Sequence, residues 1–251
     1  HSRIMKNFLS IAAALLSIAT TTLSAQDKAK PVHLFILSGQ SNMAGLKPEI
    51  GFLPEAKKLL PEGEVVHMKV ARGGQPIRLW VKEWNEIAAK HDIKVTVDKT
   101  PYYDQILAQF KTLQAKYPQG FASISFSWMQ GERDAKEKLS APYKEAMKTL
   151  IANLRRDLKA PKMNIVIGRL SDYGDGKAPE WEAVRDILVA VATEDKHGAW
   201  VDTDDLNNKT KKEKLHNDLH YTKEGYKLFG ERLAQQSVKL INGEKPSATG
   251  K

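Results

Sequence analysis

The 251-residue chain contains no cysteine, which removes disulfides, thiolate nucleophiles, Cys-ligated zinc and iron–sulfur clusters from consideration. It also lacks an apolar run able to span a bilayer comfortably. Phe8 to Ala19 is apolar but softened by Ala and Ser, and it falls short of the ~20 residues that a membrane helix needs. There is no internal repeat and no nucleic-acid-binding module. With 41% hydrophobic and 27% charged residues, the chain has ordinary globular composition and length for one substantial core.

The N-terminus reads as a leader. Met5-Lys6-Asn7 is basic, Phe8 to Ala19 is apolar, Thr20 to Ala25 is small and hydroxylated, and charge returns at Asp27. This pattern predicts a secretory signal peptide over residues 1–25, cleaved after Ala25, and hence a secreted or periplasmic protein with no stable membrane anchor. His1 to Ile4 precede Met5 and are read as non-native. The domain is expected over 26–241, followed by a polar tail, 242–251, that frays. The net charge of +9 falls to +7 once Arg3 and Lys6 leave with the leader. Part of the excess lies in Lys209-Thr210-Lys211-Lys212-Glu213-Lys214, which reads as a solvated loop rather than a polyanion site.

Apolar runs at Val32 to Leu37, Val65 to Val70, Ala122 to Trp128, Asn164 to Leu170 and Ala199 to Val201 predict strands. Helical spacing lies between them, over Tyr102 to Tyr117, Ala141 to Leu158 and Trp181 to Thr193, with a last helix over Tyr221 to Ile241. Strands alternating with helices predict a parallel sheet of about five strands covered on both faces. In such sheets ligands bind outside the carboxyl ends of the strands, so the residues after each strand are the candidates.

Strand one exits into Gly39-Gln40-Ser41-Asn42-Met43, where a serine hydroxyl can stand beside free backbone N–H groups. Met43 replaces the second glycine of a G-x-S-x-G elbow, and Ser41 alone is equally an N-cap. Strand two exits into Ala71-Arg72-Gly73-Gly74, whose glycines allow a backbone N–H to approach a ligand closely or make a plain tight turn. Strand three exits into Gln130-Gly131-Glu132-Arg133-Asp134, an amide donor and acids that also suit a helix start. Before the last helix stands His216-Asn217-Asp218-Leu219-His220-Tyr221, a histidine able to act as general base if a carboxylate orients it.

Together these segments resemble the SGNH hydrolases, specifically the branch of sialate O-acetylesterase-like proteins and carbohydrate esterase family six. The resemblance runs from about Val32 to Leu233, with Gly39-Gln40-Ser41-Asn42-Met43 as its most specific block. It implies a flavodoxin-like three-layer α/β/α sandwich and a cofactor-free serine esterase acting on acetylated carbohydrate, with no metal and no nucleic acid as partner. Carried over, Ser41 is the nucleophile and His220 the base. The Ser41 N–H, Gly73 or Gly74, and the Gln130 side chain donate to the oxyanion. Gln40, Asn42, Trp80 and Tyr221 are expected to bind substrate, with Trp84 and Trp181 as further aromatics that serve either a sugar-stacking rim or the core. The chain departs from the pattern at Asn217, where the acid usually stands, and at Arg133, where serine usually stands. The orienting acid is therefore Asp218 as first choice, then Glu132, then Asp134.

Three rivals remain at this stage. A metal-dependent hydrolase would use His216, Asp218 and His220 as ligands. A non-catalytic carbohydrate-binding protein would keep the fold without turnover. A lipid-directed member of the same superfamily would need an apolar lid, which the sequence does not suggest.

Overall fold

The computed structural model describes residues 29–174, 178–211 and 214–251, without the side chains of 210, 211, 214 and 215. The expected leader, 1–25, lies outside the described residues. Five parallel strands form one sheet in the order β2-β1-β3-β4-β5, comprising β1 (Val32–Gly39), β2 (Glu64–Ala71), β3 (Ser123–Met129), β4 (Asn164–Gly168) and β5 (Gly198–Val201). This is the doubly wound order with its switch between β1 and β3. β1 is an inner strand, pairing Gly39 with Ala71 on one side and with Met129 on the other. All eight of its residues are buried, as a strand covered on both faces must be.

On one face α2 (Phe52–Leu59) packs against α8 (Lys223–Ile241), and α8 also covers β3, β4 and β5. Phe35 meets Phe52 edge-on there at 5.2 Å. The other face carries α3 (Trp84–Lys90), α4 (Pro101–Lys116), α6 (Ser140–Asp157) and α7 (Pro179–Glu194). Trp80 stands edge-on to Trp128 at 5.3 Å on that side. The short helices α1 (Ser41–Gly45) and α5 (Glu132–Lys136) follow β1 and β3 directly. They place two of the predicted blocks at the carboxyl edge of the sheet.

Two expectations are corrected. The basic run is not an open loop: Asn208–Lys211 (β6) and Lys214–Asn217 (β7) pair as an antiparallel hairpin. The tail does not fray either. The Asp202 N–H donates to Thr249 O at 2.7 Å, the Ser247 N–H to Gln236 Oε1 at 3.0 Å, and Lys251 pairs with Asp202 at 3.1 Å. Among the described residues no helix is long and apolar enough to cross a membrane.

Candidate active site

The turn that carries Ser41 begins at Gly39, the last residue of β1. Its φ of +143° lies in the region that favours glycine, and a Cβ there would fall 1.9 Å from Met129 O. This approach lets the Gln40 N–H donate to Met129 O at 2.8 Å, which carries β1's pairing one residue past the strand. The chain then turns into α1. Gln40, not Ser41, is the N-cap residue, so Ser41 is the first helical residue and makes no capping bond. Its N–H is one of the orphan donors of a helix start. The second strand exit comes close to it: a Cβ built on Gly73 would stand 3.9 Å from Ser41 Cβ, and Gly73 and Gly74 are exposed.

Behind this turn lies a buried polar framework. Gln40 Oε1 accepts from Gln130 Nε2 at 3.2 Å and from the Arg133 N–H at 3.1 Å. Gln130 Nε2 also reaches Gln75 O at 3.1 Å and Asp134 Oδ2 at 2.5 Å, while its Oε1 accepts from Tyr143 at 2.8 Å. Asp134 Oδ2 additionally accepts the Ile77 N–H at 2.9 Å. Burial raises the Glu132 carboxyl to about 7 and Asp134 to about 6, against the hydrogen bonds that they accept.

Asn42 joins the two ends of the chain. Its Nδ2 donates to Glu132 Oε1 at 3.2 Å and to Leu219 O at 3.1 Å, and its Oδ1 accepts the Tyr221 N–H at 3.4 Å and the Tyr226 hydroxyl at 3.2 Å. The residue after Ser41 therefore holds both residues that flank His220. Ser41 is half-buried and His220 exposed at the same rim, and no hydrogen bond joins their side chains in this structure. The loop is braced from behind as well: Asp218 Oδ1 accepts the His220 N–H at 3.2 Å, and Oδ2 pairs with Lys209 at 3.1 Å. The Lys209 ammonium, followed by that N–H, holds the Asp218 carboxyl below the usual carboxylate range.

The candidates divide accordingly. Gly73 approaches Ser41 at the carboxyl edge of the sheet, the two residues that flank His220 are bonded to Asn42, and Asp218 lies in the same loop as His220. Glu132 is buried and bonded to Asn42, not to the His220 ring. Gln130 is corrected from oxyanion donor to framework: it is fully buried and its amide donates inward. Gln40, Asn42, Trp80 and Tyr221 are corrected from substrate contacts to interior residues. All four are buried, and the Trp80 indole donates to Ser38 Oγ at 3.0 Å. Trp84 and Trp181 are buried too, which decides the stacking-rim alternative for the core.

Neither departure from the expected pattern intrudes on the crevice. The Arg133 guanidinium turns away to Glu137 at 2.5 Å, and Asn217 donates to Asp172 O at 3.0 Å. Among the described residues no three His, Asp or Glu side chains stand where they could share a metal ion, so His216, Asp218 and His220 do not converge.

The sequence reading missed Tyr173. It is 40% exposed in the loop after β4, where its ring leans on Trp181 at 5.4 Å. Asn207 and Asn217 bond to the adjacent Asp172 and so hold that loop to the segment leading to His220. A cleft of about 400 Å³ opens at the other side of Ser41's helix, lined by Gly45, Lys47, Ile50, Lys223 and Tyr226. A cavity of about 530 Å³ lies at the amino ends of β3 and β4, beside Ser123, Asn164 and His197. That is the opposite end of the sheet from Ser41.

Comparison with known proteins follows the same outline. The chain is similar over 83% of its length to a crystal structure of a protein from Arabidopsis thaliana, covering 98% of that chain, with 21% identity and a TM-score of 0.61. It is similar over 85% of its length to a carbohydrate acetylesterase from Xanthomonas citri, with 16% identity and a TM-score of 0.60, and spans 57% of that chain. It is similar over 86% to NanS, covering 99% of that chain, with 14% identity and a TM-score of 0.58. At these identities the likeness shows the fold. No curated protein matches the sequence. A family model described as carbohydrate esterase, sialic acid-specific acetylesterase matches residues 45–239, beginning just after the nucleophile block. That match covers more than half of the chain: the chain is an esterase belonging to the carbohydrate esterase, sialic acid-specific acetylesterase family.

Proposed function

We propose that the protein removes O-acetyl groups from carbohydrate, from acetylated xylan-type polysaccharide or from sialic acid, through an acyl-enzyme on Ser41. The observation that carries this reading is the Asn42 bridge: the neighbour of Ser41 is bonded to both neighbours of His220. In the first step His220 takes the Ser41 proton as Oγ bonds to the acetyl carbonyl carbon, and the tetrahedral oxyanion accepts from the Ser41 N–H and a Gly73 or Gly74 N–H. Each well-placed donor contributes roughly 3–4 kcal/mol in such sites. Collapse breaks the bond to the sugar oxygen, which His220 protonates. Water, deprotonated by His220, then releases acetate and restores Ser41. Asp218, in the same loop as the base, is the proposed orienting acid.

Acetyl needs little room, so selectivity rests on the alcohol side. Tyr173, the exposed aromatic at this rim, offers a flat apolar face to a sugar. We further infer that residues 1–25 direct export, so that the exported chain begins at Gln26. N-terminal sequencing of the exported protein checks this, and an intact Met5 end contradicts it.

The test of the mechanism is labelling with a dialkyl nitrophenyl phosphate followed by peptide mass mapping. The adduct is expected on Ser41, with turnover undisturbed by a chelator. Sugar binding without turnover or labelling would identify a binding protein instead.

A further inference from the structure

The carboxyl of Glu132 lies behind the nucleophile turn, is 5% exposed and has no step in the acyl transfer. Its Oε1 accepts a hydrogen bond from Asn42 Nδ2, and its Oε2 is buried without a partner. An asparagine amide is nearly symmetric in shape, so its partners alone decide which end is which. Here two acceptors, Glu132 Oε1 and Leu219 O, face Nδ2, and two donors, the Tyr221 N–H and the Tyr226 hydroxyl, face Oδ1. A turned amide would set acceptor against acceptor at Glu132 Oε1 and Leu219 O and donor against donor at the Tyr221 N–H, while the Tyr226 hydroxyl can accept as well as donate. These contacts are also what hold the two flanks of His220, since residues 219 and 221 have no other side-chain tie to the Ser41 turn. Glu132 comes from a third segment, fixed after β3 by the Ala135 N–H to Gly131 O bond at 2.9 Å and by the Arg133 N–H to Gln40 Oε1. It is thus a rigid reference for the orientation of Asn42.

We propose that Glu132 is a positioning residue: its acceptor oxygen sets the Asn42 amide, and Asn42 sets the place of His220 over Ser41. This assigns Asn42 a role in assembling the nucleophile with its base, and it separates Glu132 from the acid that orients the imidazole. The inference rests on the Ser41–His220 mechanism above.

The two roles differ in what a substitution leaves behind. Glu132→Gln keeps an oxygen in place to accept from Asn42 but carries no charge. Glu132→Leu keeps the volume and removes the acceptor. With nitrophenyl acetate, a small substrate that needs no sugar contact, Glu132→Gln is expected to keep kcat within about threefold of the parent. Glu132→Leu is expected to lower kcat about tenfold or more at unchanged KM, the size of effect that losing one buried hydrogen bond brings. Asn42→Ala should lower kcat at least as far. Glu132→Leu added to Asn42→Ala should cost little more, because residues that act through one contact are not additive.

Thermal unfolding of each variant accompanies the kinetics. If Glu132→Leu does not fold, Glu132→Gln and Asn42→Ala carry the test between them. A Glu132→Gln variant that loses more than about a thousandfold in kcat would identify Glu132 as the triad acid and overturn the proposal. So would Glu132→Leu or Asn42→Ala at full activity. Ser41→Ala in the same assay tells the two failures apart. If it is as active as the parent, the acyl-enzyme mechanism and the positioning role both fall. If it is inactive, any of the preceding contrary results removes the positioning role alone.

Discussion

The two banks of the site are built by opposite means. The Ser41 bank is dry: Gln40, Asn42, Gln130, Glu132 and Asp134 are buried, bonded to one another or to backbone, and drawn from two strand exits, those of β1 and β3. The His220 bank is wet: His220 is exposed, and Asp218 is braced by Lys209 across an ion pair in which each side chain is 37% exposed. The turn that carries Ser41 is fixed by buried hydrogen bonds, which are expensive to disturb. The base hangs on a loop held by a few main-chain bonds, two of them to Asn42. The turn that carries Ser41 is thus held from the interior, while the loop that carries His220 is joined to it through Asn42.

Experiments on the wet bank should show the larger kinetic effects. His220→Ala is expected to lower kcat by about 10⁴-fold with the fold intact, because the serine then has no base. Retention of most activity would make another group the base. Asp218→Asn comes next, at about 10²-fold or more in kcat, and its unfolding temperature at low and high salt separates orientation of the ring from loss of the Lys209 pair. If kcat holds within a few-fold, Asp218 is a brace of the loop and not the triad acid.

The dry bank should announce itself in stability as well as in rate. Glu132 titrates near 7 in the folded protein and near 4.5 when unfolded, so the folded state binds more protons between those values. Stability contributed by this group is present below pH ~4.5 and is lost as pH rises towards 7, by about 3 kcal/mol in total. Glu132→Gln should flatten that slope in unfolding measurements across pH 5–8, and an unchanged slope would mean that the carboxyl is ionised throughout. The smallest effect is expected at the rim. Tyr173→Ala should raise KM for an acetylated oligosaccharide about fivefold, the scale of one exposed aromatic contact, while leaving KM for nitrophenyl acetate alone. Equal KM values for the oligosaccharide would remove Tyr173 from the substrate's path.

The same contrast explains how far the sequence could be read. The five strands and the residues at their exits were legible because burial on both faces leaves continuous apolar runs, and each exit motif is local. The proposed pairing of Ser41 with His220 could be reached from the sequence only through the parallel topology, which brings strand exits to one edge. The role of Asn42 was not, since its partners Leu219 and Tyr221 are 177 and 179 residues away in sequence, and nothing in Ser41-Asn42-Met43 shows whether the amide faces inward. Gln130 was misread for the same reason: its partners Gln40, Gln75 and Tyr143 come from three separate segments. Trp80 and Tyr221 lie beside exit motifs in sequence, but the motifs do not reveal on which side of the turn an aromatic ring packs. The tail looked free because its composition is polar, yet its backbone satisfies the Asp202 N–H at the edge of β5.

The central claim is that Ser41 forms the bond to the acetyl group. Acetate release from acetylated xylan and from O-acetylated sialic acid, measured for the parent and for Ser41→Ala at equal concentration, tests it most directly. The account predicts release from at least one of these substrates by the parent and a fall of about 10⁴-fold or more in the variant. Comparable release by both proteins would contradict it.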